Sequence, residues 1–146
     1  MQTAAPFAAL EHMTPQILPG IDEIDPGIYG SSEDISIGTL TYELTTLLWA
    51  AGAELLQIPG SVDVNGVVFD QKFTDAVDTM YQTAMANPVV SANGQITDVA
   101  FNNEESIVVW MLMNVKNPDL GVLLDTLIKS LDTPTPSFLS DGGVVQ

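Results

Sequence analysis

The sequence predicts a mainly α-helical protein: a compact four-helix domain with short hairpin-like Asn-Gly turns, an extended N-terminal arm and a C-terminal tail. Three observations carry this. Apolar residues recur at steps of three and four along four separate segments, the period of a helix with one buried side. Pro, Gly and Asn cluster between those segments, where they stop helices and make turns. Two Asn-Gly pairs, Asn65-Gly66 and Asn93-Gly94, stand between short apolar pieces, and both residue types take positive φ readily.

Residues 1–36 read as the arm, 37–131 as the helical domain and 132–146 as the tail. The arm holds Pro6, Pro15, Pro19 and Pro26 with Gly20, Gly27 and Gly30, and no period runs far through it. It also carries Leu18, Ile21, Ile24, Ile28 and Tyr29. A purely solvating segment would not hold so many large apolar groups, so these five are expected to lie against protein, on this chain or a neighbour.

The first helix covers 37–52, with Ile37, Leu40, Leu44, Leu47, Leu48 and Ala51 as its buried stripe, Ser36 as N-cap and Gly52 as its stop. Pro59-Gly60 marks a connector before the first Asn-Gly turn. The second helix, 71–86, takes Asp70 as N-cap and buries Phe73, Val77, Met80, Tyr81 and Ala84; Asn87-Pro88 ends it. The third covers about 103–115. Glu104 and Glu105 complement the positive end of its dipole, and Ile107, Trp110 and Met111 face inward. Pro118 opens a fourth helix to Leu131, with Leu120, Leu123, Leu124, Leu127, Ile128 and Leu131 as its apolar face.

Of 146 residues, 46% are hydrophobic and 15% charged, too apolar for a disordered chain. The charge is lopsided. Lys72, Lys116 and Lys129 face 19 acidic residues, for a net charge of −16, and there is no arginine. A surface of this kind excludes nucleic acid, which needs cations to displace phosphate counterions, and is repelled by anionic headgroups. No apolar segment is long enough to span a bilayer, and the first residues lack the basic region of a secretory signal. With no cysteine there is no thiolate chemistry or thiolate metal site. His12, the single histidine, stands in a Pro-rich stretch without the partners of a triad and reads as an exposed loop residue.

No catalytic residue, metal site or cofactor is expected. The carboxylates Asp63, Asp70, Asp75 and Asp78 read as solvated or capping groups, lacking both the ordered ligands of a calcium loop and a desolvated acid for sugar hydrolysis. Trp110, Tyr81, Met80, Met85, Met111 and Met113 read as core filling.

The order helix, Asn-Gly turn, helix, Asn-Gly turn, helix over residues 37–115 resembles the small three-helix peptidoglycan-binding domain of wall hydrolases and phage proteins. Val64-Asn65-Gly66-Val67-Val68-Phe69-Asp70 and Ala92-Asn93-Gly94-Gln95-Ile96-Thr97-Asp98 are its two copies, with asparagine where the family has aspartate. The resemblance implies wall or sugar contacts at Asn65, Asp70 and Asn93. The expected function is that of a non-catalytic structural or binding protein, an accessory component of a larger particle such as a phage virion or injection apparatus. Other subunits of that assembly are its partners, with cell-wall glycan as a further ligand. Its place is then the virion or an extracellular particle, and otherwise the cytoplasm. The alternative is an acidic inhibitor that mimics DNA.

Overall fold

The computed structural model describes residues 4–31, 35–88, 90, 94–117, 119 and 121. The chain is mainly helical, as the sequence predicts. Among the described residues, α1 spans Ala5–Leu10, α2 Ile35–Ala50, α3 Gly66–Ala86 and α4 Glu104–Asn114, and a 3₁₀ turn spans Gly27–Ser31. The predicted fourth helix and the tail lie outside the described residues, apart from Asp119 and Gly121. Two units are distinguished: Met1–Asp22 with Gln71–Asn102, and Glu23–Asp70 with the chain from Asn103 on. The boundary passes through the stretch read as one arm, and through α3 after its first turn.

The second unit has its core around α2, on which α4 and the 3₁₀ turn pack. The inward face of α2 is the opposite of the predicted one. Tyr42, Thr46, Trp49 and Ala50 are buried, while Ile37, Leu40, Leu44 and Leu48 are exposed. The inward set brings three polar groups, and each finds a partner there. Tyr42 Oη donates to Ile24 O at 3.0 Å, Thr46 Oγ1 to Glu105 Oε1 at 3.0 Å, and Trp49 Nε1 to Leu56 O at 2.9 Å. Gly52 ends α2 at φ 94°, with Gly52 N bonded to Trp49 O and Ala53 N to Leu48 O, the paired bonds of a Schellman stop.

Asn65-Gly66 is not a hairpin turn. Asn65 pairs with Gln57 in an isolated antiparallel bridge, then caps α3 by accepting Val68 N on Oδ1 at 3.0 Å. α3 therefore starts five residues before the predicted 71, and Asp70 lies inside it. This extra turn places Phe69 on Trp49, ring centroids 6.0 Å apart and nearly parallel. Asn103 stands at the N-cap of α4 without a side-chain capping bond.

The segment from Ile24 to Ile28 is strapped to residues 58–63. Asp25 Oδ2 accepts Val62 N at 2.8 Å, Asp25 O accepts Ser61 Oγ, Asp63 Oδ2 accepts Asp25 N, and Ile28 N donates to Pro59 O. Gly27 is needed there: its φ is 55°, and a Cβ would meet the carbonyl oxygen of Pro59.

The first unit is thinner. Phe73 and Ala76 of α3 and Ala8 of α1 are its buried apolar residues. Phe7 and Phe101 meet ring to ring at 5.7 Å, and Gly20, φ 103°, lies against Ala76 and the Lys72 carbonyl. Of the second Asn-Gly pair, Asn93 lies outside the described residues; Gly94 has φ 83° and stands between the bridged residues Val90 and Ile96.

A Cβ at Gly66 would stand 2.7 Å from Trp49 Cγ, with no room to relax against a buried indole. By helix propensity alone, alanine in place of glycine stabilises a helix by about 0.5–1 kcal/mol. Gly66→Ala is instead expected to destabilise by about 1–3 kcal/mol in urea titration, through overpacking. Gly52→Ala, where nothing lies within 4 Å, should lose about 1–2 kcal/mol from its backbone conformation alone.

Candidate functional site

Two features of the described residues combine chemistry with a defined place: a polar centre in the second unit and an apolar groove in the first.

The polar centre is built by α2, α4 and the chain around Ile24. Ser106, fully buried on α4, accepts the Ile24 amide on Oγ at 3.1 Å, and Tyr42 binds the Ile24 carbonyl. Both backbone groups of a buried residue are thus satisfied by side chains. Ile24 is wholly buried as a result, while Ile28 stays 54% exposed and Leu18, Ile21 and Tyr29 are half-buried.

Glu105 completes the centre. Burial pushes its carboxyl up to about 7, and the nearby Glu43 and Glu23 push the same way; hydrogen bonds with Thr46 and Tyr42 offset only part of this. Burial raises Glu43 as well. Tyr42 is driven far above the ordinary tyrosine range, by burial first and then by Glu105, Glu23 and Asp63. The Tyr42 hydroxyl has one proton and two partners, Ile24 O and Glu105. When it serves Ile24, the carboxyl must supply the other proton. The sequence places Glu105 in the first turn of a helix, where its charge complements the dipole. There it stands beside the buried stripe of Ser106 and Val109, which a polar serine kept out of the predicted apolar pattern. A carboxyl held near neutrality is the raw material of acid–base catalysis. Yet Glu105 lines neither the α3 groove nor the groove between the ends of α2 and α4.

The groove of the first unit runs along the outer half of α3. Val77, Met80, Tyr81, Ala84 and Met85 form one wall, and Ile96 and Asp98 complete the lining, around a space of about 270 Å³. Val77, Met80, Tyr81 and Ala84 belong to the stripe predicted as buried, and Met85 reads from the sequence as core filling. The structure buries Phe73 and leaves Tyr81 60% and Met85 52% exposed. A second groove, in the other unit, lies between the ends of α2 and α4, from Trp49–Gly52 to Leu112, Met113 and Val115.

Of the predicted sugar contacts, Asn65 is committed to capping α3, and Asp70 Oδ1 accepts Asn114 Nδ2 at 2.7 Å. Asn93 lies outside the described residues. No group of three or more His, Asp or Glu able to hold a metal ion occurs among the described residues, and no described helix is long and apolar enough to cross a membrane.

These features define an acidic, mainly helical module with a closed polar centre and open apolar grooves. The chain is 46% identical over 125 residues to the PE-PGRS family protein PE_PGRS11 of Mycobacterium tuberculosis (strain ATCC 25618 / H37Rv), an overlap of 84% of this chain and 21% of that protein. The chain thus spans about a fifth of the length of the curated relative it matches. No family model and no solved structure matches it. The expected phage virion or injection-apparatus role, and with it a virion location, is corrected by this similarity: the relative is a mycobacterial PE-PGRS family protein, not a particle component. Asp25, Asp63 and Glu105 are engaged within the fold, whereas Asp22, Glu23, Asp75, Asp78 and Asp98 are exposed.

The raised carboxyl makes stability depend on pH with a definite sign. A group that holds its proton more tightly when folded favours the folded state fully below its ordinary value, and that contribution is lost as pH rises through the folded one. For Glu105 the window runs from 4.5 to about 7. Wild type should therefore lose on the order of 3 kcal/mol across it, relative to Glu105→Gln. Urea titrations of both proteins at pH 4, 6 and 8 measure the difference. A gap that does not widen with pH would show that Glu105 is ionised in the folded protein.

Proposed function

We propose that this chain is a binding module of a mycobacterial protein, which acts by presenting apolar surface to a protein partner and not by catalysis. The exposed apolar surface of the first unit is the observation that carries this reading. Tyr81, Met85, Val90, Ile96, Val99 and Phe101 are each more than a third exposed, against three buried apolar side chains among the described residues of that unit, and Tyr81, Met85 and Ile96 line one groove. Leaving large apolar groups in water is unfavourable by about 25 cal/mol for every Å². A contiguous set of them marks an interface more often than a neutral surface.

The similarity to PE_PGRS11 supports the same reading. In that protein the matching stretch is about one fifth of a longer polypeptide, which is how a module occurs. The groove's lining is apolar apart from the Tyr81 hydroxyl and the Asp98 carboxylate, which suits recognition.

A photo-crosslinking residue placed at Tyr81 should give a discrete adduct in mycobacterial extract, and the same residue at Asp75 a much weaker one. Adducts of equal strength at both positions, or none at Tyr81, would overturn the reading. Retention of the chain on purified peptidoglycan, with no protein adduct, would instead favour a wall-binding role at the resembling segment.

A further inference from the structure

We infer that the partner of the α3 groove is a cationic amphipathic helix, one with apolar residues along one side and lysine or arginine flanking them. This rests on the interaction-module reading and adds the chemistry of the partner.

The shape of the groove argues for a helix. Val77, Met80, Tyr81, Ala84 and Met85 repeat at three and four residues, so the wall is a ridge along a helix axis about 12 Å long. Such a ridge interlocks with another helix whose apolar residues have the same spacing. Among the described residues the pairing of Val90 with Ile96 is an isolated bridge, which offers an added strand no edge. Met80 and Met85 have unbranched, polarisable side chains, which suit a wall that must mould itself to an incoming side chain.

Charge argues for a cation. Asp98 lines the groove, and Asp78 is exposed on the same helix as its wall. The lysine of α3, Lys72, has its stem directed to the chain crossing at Gly20, with Cγ 3.6 Å from where a Cβ there would be. The chain as a whole carries −16. An acidic or neutral helix would meet this field unfavourably or gain nothing from it, whereas lysines beside the apolar stripe are drawn in and oriented.

The test separates apolar recognition from charge attraction. A short fluorescent peptide of leucine and lysine, with leucines on one helical side, is titrated with the full chain. Two controls are used: the same composition scrambled so that no apolar side forms, and the same pattern with glutamate for lysine. The amphipathic lysine peptide should bind about tenfold or more tighter than either control. Tyr81→Asp and Met85→Asp should each weaken it about tenfold. Both substitutions add negative charge, which by attraction alone would strengthen binding of a cation, so a loss reports the apolar contact. Leu10→Asp, at a residue 75% exposed and absent from the groove, should leave binding intact. Because Tyr81 and Met85 are more than half exposed, the variants should keep the wild-type circular dichroism spectrum. Equal binding of the scrambled peptide, or variants that bind as wild type does, overturns the proposal. If the peptide fails while a crosslinker at Tyr81 still captures a protein, the module reading stands and the cationic helix falls.

Discussion

The buried indole of Trp49 is the constraint on which the second unit depends. At 1% exposure it has no water for its N–H, and an unbonded donor there would be unfavourable by roughly 1–3 kcal/mol. The Leu56 carbonyl satisfies it, which obliges the chain to turn back immediately after α2. The returning chain then bonds Gly66 N to Glu54 O and enters α3 against the face of the same indole. Only a residue without a side chain passes there, and the next turn delivers Phe69 onto the ring. One side chain thereby sets the end of α2, the length of the connector and the start of α3.

That constraint explains which parts of the fold could be read from the sequence. The helical class and the positions of three helices follow from local periodicity. The choice of face on α2 does not. Leu40, Leu44 and Leu48 make one regular stripe; Tyr42, Thr46 and Trp49 make another on the other side. Apolarity alone favours the leucines. The polar-tipped residues go inward because each finds a partner: Tyr42 at Ile24, Trp49 at Leu56 and Thr46 at Glu105. Two of those partners lie on segments distant in sequence, and no windowed pattern contains them. The same holds at Asn65, whose side chain signals a turn or a helix cap equally well. The stacking of Phe69 on Trp49 decides for the cap.

The candidate site was legible in its residues and not in its exposure. Val77, Met80, Tyr81 and Ala84 do share one side of α3. A sequence with so regular a stripe implies something to cover it, and reading the cover as the chain's own core is the natural inference. In the structure Phe73 and Ala76 are buried, while Val77, Met80 and Ala84 are half-buried and Tyr81 and Met85 exposed. Periodicity reports that a helix face must meet apolar matter; it does not report whether that matter belongs to the same chain.

The acidity of the chain has two physical roles, and the polar centre separates them. Asp25 and Asp63 act as acceptors for backbone amides, so their charge is used to close a loop against the 3₁₀ turn. Glu105 gives up its charge near neutral pH because burial beside Glu43 and Glu23 makes it unfavourable. What is left at the surface is a field of one sign around exposed apolar side chains. Such a field opposes the association of two copies at those side chains and draws in a partner of opposite charge. The surplus of carboxylates thus opposes the self-association that an exposed apolar face would otherwise drive, which is what the proposed cationic partner requires.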